Sequence, residues 1–547
     1  MKPSERVFPV MASRSGPKLV VGIDFGTTFS GIAWALEACP EEIEVIQKWP
    51  DGRNRSLQKV PSCLTYGTSA VNWGYQVNDE VHPNAIRGLK LLLNDSKPVT
   101  YRPSIEAKSH LKSLGKSTVD AIADYLRALV GHAKEILRRR FDSALDIMEI
   151  QYILTVPAVW SDKAKDLTMQ AGCRAGIPRA QLSLLSEPES AAIYAIRAIQ
   201  PNTMAKHGDC IIVCDAGGGT VDLITYEITQ TEPLRLQEVT EGTGGICGSV
   251  LLDHCFEELL AQTVGEKMHM SIPRAARLVA LNYWQDNIKA NYTGPELEEY
   301  LDVGYAVPLP GAPDVPGIIE GGFWNLERKV NDTGLNAKAI ILVGGLGSSD
   351  YIHKRLETKF SDLRVMQPMN AWSAVVRGAV QRGIEGNHVD NRKARCHYGV
   401  QVSRPYDPAR HSPDRRYWST YEEAYLVRGE MIWFIKKGAT INENEPVRLS
   451  FYRNVDINGS FKFCDELSFC VTETAPSQLN KAVSPLCELN ADLDKIPKEL
   501  FEKHKNSTGL EFYRVHFDLV LTPTSASLLF HLEFNDVEYG KVRARYY

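Results

Sequence analysis

The fold is decided by the stretch Lys18-Leu-Val-Val-Gly-Ile-Asp24-Phe-Gly26-Thr27-Thr28-Phe-Ser-Gly-Ile-Ala-Trp34. Two apolar runs flank an acid and a short turn of glycine and threonine, a pattern that predicts a β-hairpin. Gly26 would let the backbone approach an anion, and Thr27 and Thr28 would add hydroxyl donors. Because Asp24 would repel a bare phosphate, a hydrated Mg²⁺ is expected between them. An ordinary hairpin with a surface acid accounts for this stretch alone equally well.

A second stretch repeats the pattern about 190 residues later. It reads Ile211-Ile-Val-Cys-Asp215-Ala-Gly217-Gly218-Gly219-Thr220-Val-Asp222, again an apolar run, an acid and then a glycine. Three consecutive glycines between apolar runs are costly to order, which makes chance a weak explanation. The two hairpins therefore predict two related lobes that face each other across a nucleotide.

The composition is that of an ordinary globular protein and gives no reason to expect a nucleic acid or a membrane as partner. The 547 residues are 44% hydrophobic and 24% charged, with a net charge of −5. The eleven cysteines are scattered without a Cys-x-x-Cys pair, which favours a reducing compartment, by default the cytoplasm. No long apolar stretch precedes Lys18, so residues 1–17 are interpreted as a flexible tail rather than a signal peptide.

The order of patterns predicts an α/β part followed by a β-rich part. Apolar periodicity predicts an amphipathic helix over Ser117–Phe141. Further predicted elements are a strand at Tyr152–Val156 and helices at Ser161–Ala175, Arg274–Asn291, Tyr351–Phe360 and Trp372–Gly383. Beyond Asn391, alternating runs separated by turn residues predict strands. The expected domains are one lobe at 18–205, a second at 206–392 and a β-rich domain at 393–547.

Several further motifs occur in a characteristic order: Thr155-Val-Pro157-Ala, Leu185-Ser-Glu187-Pro188-Glu-Ser-Ala-Ala-Ile, and Val343-Gly344-Gly345 followed by a helix. Together with the two hairpins they resemble the phosphate, connecting and adenosine motifs of the actin-like ATPase superfamily, and within it the 70-kDa heat shock protein family. Gly244-Gly245-Ile-Cys-Gly248-Ser249 and Leu346-Gly347-Ser348-Ser349 look more like the divergent type-12 members. The resemblance implies a two-lobed ATPase with ribonuclease H-like duplicated lobes.

The resemblance also implies a role for each matching residue. Asp24 and Asp215 would hold Mg²⁺ through water. Lys90 would stabilise charge on the γ-phosphoryl group, while Glu187 and Asp222 would orient the attacking water or take its proton. The other positions implied to contact ATP or ADP are Gly26, Thr27, Thr28, Gly217, Gly218, Gly219, Thr220, Gly244, Gly245, Asp286, Lys289, Gly344, Gly345 and Ser348. From the residues alone, Lys90 also fits a lysine whose stem lies along an apolar run, and Glu187 fits a helix cap.

The chain departs from the family pattern at the base and between the domains. Asp286-Asn-Ile-Lys289-Ala290 resembles the adenine-binding helix, but alanine stands where arginine is usual, and Ser348 falls where a second arginine is usual. Losing both guanidinium planes would cost roughly 0.5–2 kcal/mol each, so base affinity and selectivity should fall. A polar stretch, Gly386–Cys396, replaces the acidic, apolar interdomain linker. No helical lid is expected after the β-rich domain, so the usual allosteric peptide clamping is not expected.

These observations favour an ATP-binding, slowly ATP-hydrolysing protein of the heat-shock-70 type. Its lidless β-rich domain, which resembles a reduced substrate-binding domain, would take an unfolded or specific client protein. The alternative is a nucleotide-binding sensor or scaffold with little turnover, which the weakened adenine contacts favour and the two retained acids oppose. A small-molecule kinase is less favoured, since no sugar site is evident in the sequence.

Overall fold

The computed structural model describes residues 16–53, 55–67, 70–78, 81–95, 98–99, 101–199, 206–292, 305–326, 339–494, 496–535, 537–541 and 543–546. Residues 1–15 of the predicted tail lie outside these ranges. The described residues form a mixed α/β fold with several mixed sheets, followed by a β-rich region. None of the helices within these ranges has the length and apolar character needed to cross a membrane.

The first sheet is built around the first predicted hairpin. Its strands, in sheet order, are Glu44–Val45, Phe29–Leu36, Lys18–Asp24, Glu149–Val156 and Leu182–Ser186, with Val60–Pro61 also paired to Phe29–Leu36. The hairpin is antiparallel and puts Asp24 opposite Gly31. The two later strands run parallel to its first strand and to each other. The hairpin predicted from the sequence is confirmed.

The second sheet repeats this topology. Its corresponding strands are Arg235–Glu238, Val221–Gln230, Cys210–Ala216, Ala339–Val343 and Arg364–Met366, with Thr243–Gly245 also paired to Val221–Gln230. The hairpin is again antiparallel, and the two later strands again run parallel to its first strand. The internal repeat predicted from the two glycine-containing turns is therefore present as a repeated sheet order.

The stretch predicted as an interdomain linker contains a strand of the second sheet. Val389–Lys393 pairs in parallel with Arg235–Glu238 and antiparallel with Thr440–Asn442. The boundary expected after residue 392 thus falls inside a strand. A polar stretch is typical of an exposed linker. Here the polar Arg392 is buried, and its charge is paired with Glu189 at 2.8 Å.

The helices largely follow the predicted positions. The α-helices are Arg102–Ser113, Thr118–Phe141, Asp162–Arg174, Glu187–Ile199, Ser249–Val264, Glu266–Ser271, Arg274–Tyr283, Gly344–Gly347, Asp350–Lys359 and Ala374–Glu385. Two begin at serine caps, since the Ser117 side chain accepts from the Asp120 amide and the Ser161 side chain from the Ala164 amide.

The helix predicted over Arg274–Asn291 needs correction. It is α-helical only to Tyr283 and continues as a π-helical turn, Trp284–Lys289. Trp284 Nε1, Gln285 Nε2 and Lys289 Nζ all donate to the Asp253 carboxylate, at 2.9, 3.1 and 2.7 Å. The wider turn lets side chains one and five positions apart reach one buried acid, which apolar periodicity could not reveal.

Two helices lie between the sheets. Glu187–Ile199 contributes Ala191, Ala192 and Ala195 to a core shared with the second sheet. Ala374–Glu385 contributes Val376, Ala379 and Val380 to a core shared with the first sheet. The helices approach so closely that a Cβ built on Gly378 would lie 1.7 Å from the Ser190 carbonyl oxygen. This close helix pair joins the two sheets, since each helix packs on one of them.

The C-terminal region is a sandwich of two antiparallel sheets. One contains Arg416–Ser419, Ala424–Ile435, His397–Pro405, Lys462–Cys470, Ser484–Asp492 and Arg543–Tyr546; the other contains Val447–Asp456, Glu511–Pro523, Leu528–Phe534, Val537–Lys541 and Glu502–Lys505. Their facing side chains, including Phe461, Phe463 and Phe517, form one buried core. From residue 386 onward, the described residues contain no helix longer than three residues.

Two small sheets complete the fold. One contains Val71–Trp73, Cys63–Tyr66 and Ile86–Arg87, and the other contains Tyr305–Pro308, Phe323–Leu326 and Ile319–Glu320.

Candidate functional site

The tips of the two hairpins meet between the sheets. A Cβ built on Gly218 would lie 2.3 Å from Thr28 Oγ1, and one built on Gly219 would lie 2.4 Å from Thr27 Oγ1. The threonine hydroxyls of one hairpin therefore lie directly against the glycine backbone of the other. Only glycine permits this approach, which explains the run of glycines that the sequence showed.

Lys90 and Glu187 form a buried ion pair beside these tips. Lys90 lies in a short 3₁₀-helix, Leu89–Leu93, which follows Gly88 in the left-handed conformation (φ 65°). Its ammonium is also 5.6 Å from the centroid of the Trp160 ring. Glu187 is the first residue of the helix Glu187–Ile199. The structure thus brings together two residues that were predicted to act on the same phosphoryl group.

Asp215 and Asp222 face each other across the second hairpin. They are register partners, and like charges placed directly opposite repel. Burial, followed by the charges of Asp222 and Asp24, raises the pKa of Asp215 to about 7. Burial likewise raises the pKa of Asp222, whose Oδ1 accepts from the Val159 amide at 3.3 Å. Asp222 Oδ2 is buried and has no hydrogen-bond partner among the described residues.

Lys59 is a site residue that the sequence analysis missed. Its ammonium lies 2.7 Å from Asp24 Oδ2, and both side chains are buried. The other Asp24 oxygen accepts from Thr155 Oγ1 at 3.4 Å. The available signal was a lysine immediately before the buried strand Val60–Pro61, where an apolar residue is more usual.

The charges of this site suit a hydrated divalent cation. Four buried carboxylates, Asp24, Asp215, Asp222 and Glu187, face two buried ammonium groups, Lys59 and Lys90, which leaves a formal charge of −2 when all are ionised. Among the described residues, no three acidic, histidine or cysteine side chains converge closely enough to bind a metal directly. The excess negative charge of these groups fits Mg²⁺ that keeps its waters, since this ion dehydrates reluctantly.

The predicted adenosine positions lie on the second-lobe side of the site. Gly344 has φ 86°, and a Cβ built there would lie 2.5 Å from Asp215 Oδ1. Ser348 lines a cavity of about 480 Å³ whose walls come from residues 56–58 and 367–372. This volume is within the range of small-molecule sites. Trp372 lies on the cavity wall and packs edge-on against Phe29, with ring centroids 6.0 Å apart.

The other predicted phosphate and adenine positions have mainly structural contacts. Gly244 and Gly245 pair with Asp222 and Val221 in the second sheet. The carbonyls of Gly217, Gly218 and Gly219 accept hydrogen bonds from the amides of residues 249, 250 and 248. The Gly217 amide donates to the Thr220 carbonyl, and Gly26 packs against the Phe29 carbonyl.

Two predicted adenine contacts lie apart from the acids. Lys289 binds Asp253 and, at 3.0 Å, the Ser249 carbonyl. Asp286 is exposed, and its backbone carbonyl accepts from Asn291 Nδ2 at 3.3 Å. In the part of the chain that the structure describes, neither side chain has a recorded contact with the four cleft carboxylates. Their predicted role stays a prediction.

Comparison with known proteins gives matches over most of the chain. It is 25% identical to Heat shock 70 kDa protein 12B of Homo sapiens, over 82% of this chain and 80% of that protein. Heat shock 70 kDa protein 12A of Homo sapiens is also 25% identical, over 73% of this chain and 74% of that protein. Chaperone protein HscA of Proteus mirabilis is 31% identical over 39% of this chain and 33% of its own length. Residues 392–544 match a family described as a Domain of unknown function (DUF8568).

Proposed function

Since the chain is a distant homologue of the heat shock 70 kDa proteins, we propose that it binds ATP with Mg²⁺ between its two lobes and hydrolyses it slowly. The homology implies an actin-like fold and a chaperone-type function that depends on ATP binding. The observation that carries the proposal is the meeting of both hairpin tips beside the Lys90–Glu187 ion pair. The hairpin tips would bind phosphate oxygens. Lys90 would stabilise the charge of the γ-phosphoryl group, and Glu187 would act on the attacking water.

The proposed chemistry assigns separate tasks to the buried charges. Lys90 would leave Glu187 for the γ-phosphoryl oxygens, where its charge stabilises the transition state. Glu187 or Asp222 would accept the proton of the attacking water as the bond from the γ-phosphorus to the bridging oxygen breaks. Burial raises the pKa of Glu187, which suits a general base near neutral pH. Mg²⁺, bound near Asp24 and Asp215, would neutralise phosphate charge.

A thermal titration tests nucleotide binding. ATP at 100 times its Kd should add roughly 2.7 kcal/mol to the stability of the unit that binds it. We expect the melting temperature to rise by about 2–4 °C with ATP and Mg²⁺. The matched variant Asp24→Asn should lose the part of the shift that depends on Mg²⁺. The absence of any shift with ATP, ADP or their Mg²⁺ complexes would refute the proposal.

A nucleotide sensor with little turnover is the second candidate. It is favoured because Lys90 already has a buried carboxylate partner and because Ala290 and Ser348 offer no guanidinium to the base. Single-turnover assays with radiolabelled ATP separate the two candidates. Release of phosphate above the spontaneous rate favours the ATPase, and tight binding with no release favours the sensor.

We further propose that the C-terminal sandwich binds a client protein and that the protein is cytoplasmic. An antiparallel sandwich of this kind would bind an extended segment along the edge of one of its sheets. The structure contains no disulfide among its eleven cysteines, which supports a reducing compartment. A pull-down tests client binding. The full chain is the appropriate bait, because Thr440–Asn442 of the region 393–547 pairs with Val389–Lys393 of the second sheet and the isolated region would lose this contact.

A further inference from the structure

Lys59 is a buried lysine to which the proposed reaction assigns no task. It reaches Asp24 across the first hairpin because Gly31, the register partner of Asp24, has no side chain. A Cβ built on Gly31 would lie only 3.3 Å from Lys59 Cγ. The neighbouring strand Val60–Pro61 fixes the lysine backbone by pairing with Phe29 and Ser30. The ion pair between Lys59 and Asp24 is therefore held in place by the backbone of the hairpin and its neighbouring strand, unlike a mobile ion pair on the surface.

The position of this ammonium matters because Asp24 is one of the two acids proposed to hold Mg²⁺. A hydrated divalent cation held by Asp24 would compete with Lys59 for the negative charge of this carboxylate, whose Oδ2 the ammonium already binds at 2.7 Å. Two cations on one buried carboxylate also repel each other, since little water lies between them to screen the charges. Metal binding would then require the lysine to move away or to share the carboxylate.

We infer that Lys59 is a positioning residue that acts through Asp24, as a resident cation that weakens metal binding and makes nucleotide binding less dependent on Mg²⁺. The second half of this inference rests on the proposed nucleotide site, whereas the first half concerns the protein and the metal alone. The positive charge of Lys59 would partly replace the divalent ion when the triphosphate enters without it. Lys59 thus sets the metal requirement of the site.

The test measures metal binding in the absence of nucleotide. Mn²⁺ replaces Mg²⁺ as the probe, and free Mn²⁺ is followed by electron paramagnetic resonance during titration of the full chain. We expect Lys59→Met to bind Mn²⁺ roughly tenfold or more tightly than the wild type, because a competing charge has been removed. Lys59→Arg, which keeps the charge, should bind like the wild type. Lys48→Met, in an exposed position of the same segment, should change nothing.

Two further measurements protect this interpretation. Asp24→Asn combined with Lys59→Met should abolish the gain, which places the metal at Asp24. A thermal melt shows whether each variant is folded, and Lys59→Gln, which also removes the charge, replaces Lys59→Met if methionine is poorly tolerated. Equal Mn²⁺ affinity of Lys59→Met and wild type, or no detectable Mn²⁺ binding to either, would overturn the inference.

The same variants separate the inference from the proposed function. For ATP, the ratio of the Kd in EDTA to the Kd in Mg²⁺ should be roughly tenfold or more larger in Lys59→Met than in the wild type. If Mn²⁺ affinity rises but ATP binds to neither protein, Lys59 acts as inferred and the nucleotide proposal fails. If ATP binds to both proteins with an unchanged ratio, the nucleotide proposal holds and the role of Lys59 in metal dependence is refuted.

Discussion

At the scale of single residues, the cleft pairs buried acids with buried lysines. Two such pairs are buried there, Lys90 with Glu187 and Lys59 with Asp24. A buried charge without its partner is costly, so each lysine also stabilises the fold around the acid that it binds. Substitution of either lysine is therefore expected to change both the activity and the stability of the protein.

We predict that Lys90→Met lowers the single-turnover hydrolysis rate by about 100-fold or more, because no other described cation lies beside Glu187 to stabilise the transferred charge. ATP affinity should change less than the rate. The matched control is Lys112→Met, at an exposed lysine. A Lys90→Met protein that melts like the wild type and hydrolyses ATP at the wild-type rate would contradict this assignment.

Glu385 allows a prediction about pH. Partial burial alone would raise its pKa, but hydrogen bonds from His388 and Arg197 hold that pKa at about 2. The folded pKa is below that of an unfolded carboxyl, so the pair stabilises the protein above about pH 4.3 and ceases to do so as the pH falls towards 2. Glu385→Gln should cost about 1–2 kcal/mol at pH 7, allowing for solvent screening, and almost nothing near pH 2. Urea unfolding of both proteins at several pH values measures this difference, and Glu37→Gln is the exposed control.

The sequence identified most of the acids but not all of their partners. Asp24, Asp215 and Asp222 were predictable because each lies beside a turn containing glycine or threonine that follows or precedes an apolar run. Lys59 was not, since it lies 35 residues from Asp24 and its one local signal, its place immediately before the strand Val60–Pro61, does not identify the acid that it binds. Long-range pairing of this kind depends on which strands become neighbours, and sequence periodicity does not give that information.

At the scale of elements, the helix pair Glu187–Ile199 and Ala374–Glu385 determines how the two sheets are joined. Small residues line the contact because the backbones approach closely. The helix Ala374–Glu385 was predicted from the sequence within a few residues, as Trp372–Gly383. Its contact with Glu187–Ile199 was not, because neither periodicity nor caps indicate which helix packs on which. Side chains that converge from different elements, as at Asp253, were missed for the same reason.

We predict that Gly378→Ala destabilises the protein by about 2–4 kcal/mol, through overpacking between these helices. The new Cβ would lie 1.7 Å from the Ser190 carbonyl oxygen, which is backbone and cannot turn away. Chemical denaturation measures the loss. Gly131→Ala is the control, because a Cβ built there meets nothing within 4 Å and Gly131 lies in the helix Thr118–Phe141. Equal stability of Gly378→Ala and Gly131→Ala would contradict the packing described.

At the scale of the whole molecule, one buried cluster of charged residues joins the lobes to the sandwich. Glu189 binds Arg392 at 2.8 Å and Ser525 Oγ at 2.9 Å, and Arg382 lies 3.6 Å away. Glu443 completes the cluster, 2.7 Å from Arg382 and 3.1 Å from Arg392. Since Glu189 is two residues from Glu187, one turn of helix contacts both the buried charges beside the hairpin tips and the C-terminal sandwich.

We predict that Glu189→Gln lowers the stability by about 3–5 kcal/mol and separates the unfolding of the sandwich from that of the lobes, because the buried Arg392 and the half-buried Arg382 lose an acid. Differential scanning calorimetry should show more resolved transitions in the variant than in the wild type. Glu473→Gln, at an acid whose side chain is 90% exposed, is the control. Identical thermograms of Glu189→Gln and wild type would show that the cluster does not couple the domains.

The contact between the hairpin tips has a kinetic consequence. Thr27 and Thr28 lie directly against Gly218 and Gly219, so a triphosphate cannot pass between them until the lobes separate. The observed rate of ATP association should therefore reach a plateau as the ATP concentration rises, at the rate constant of lobe opening. Stopped-flow fluorescence with a labelled nucleotide measures this plateau. A larger plateau in Gly378→Ala than in the wild type would show that the helix pair sets how often the cleft opens.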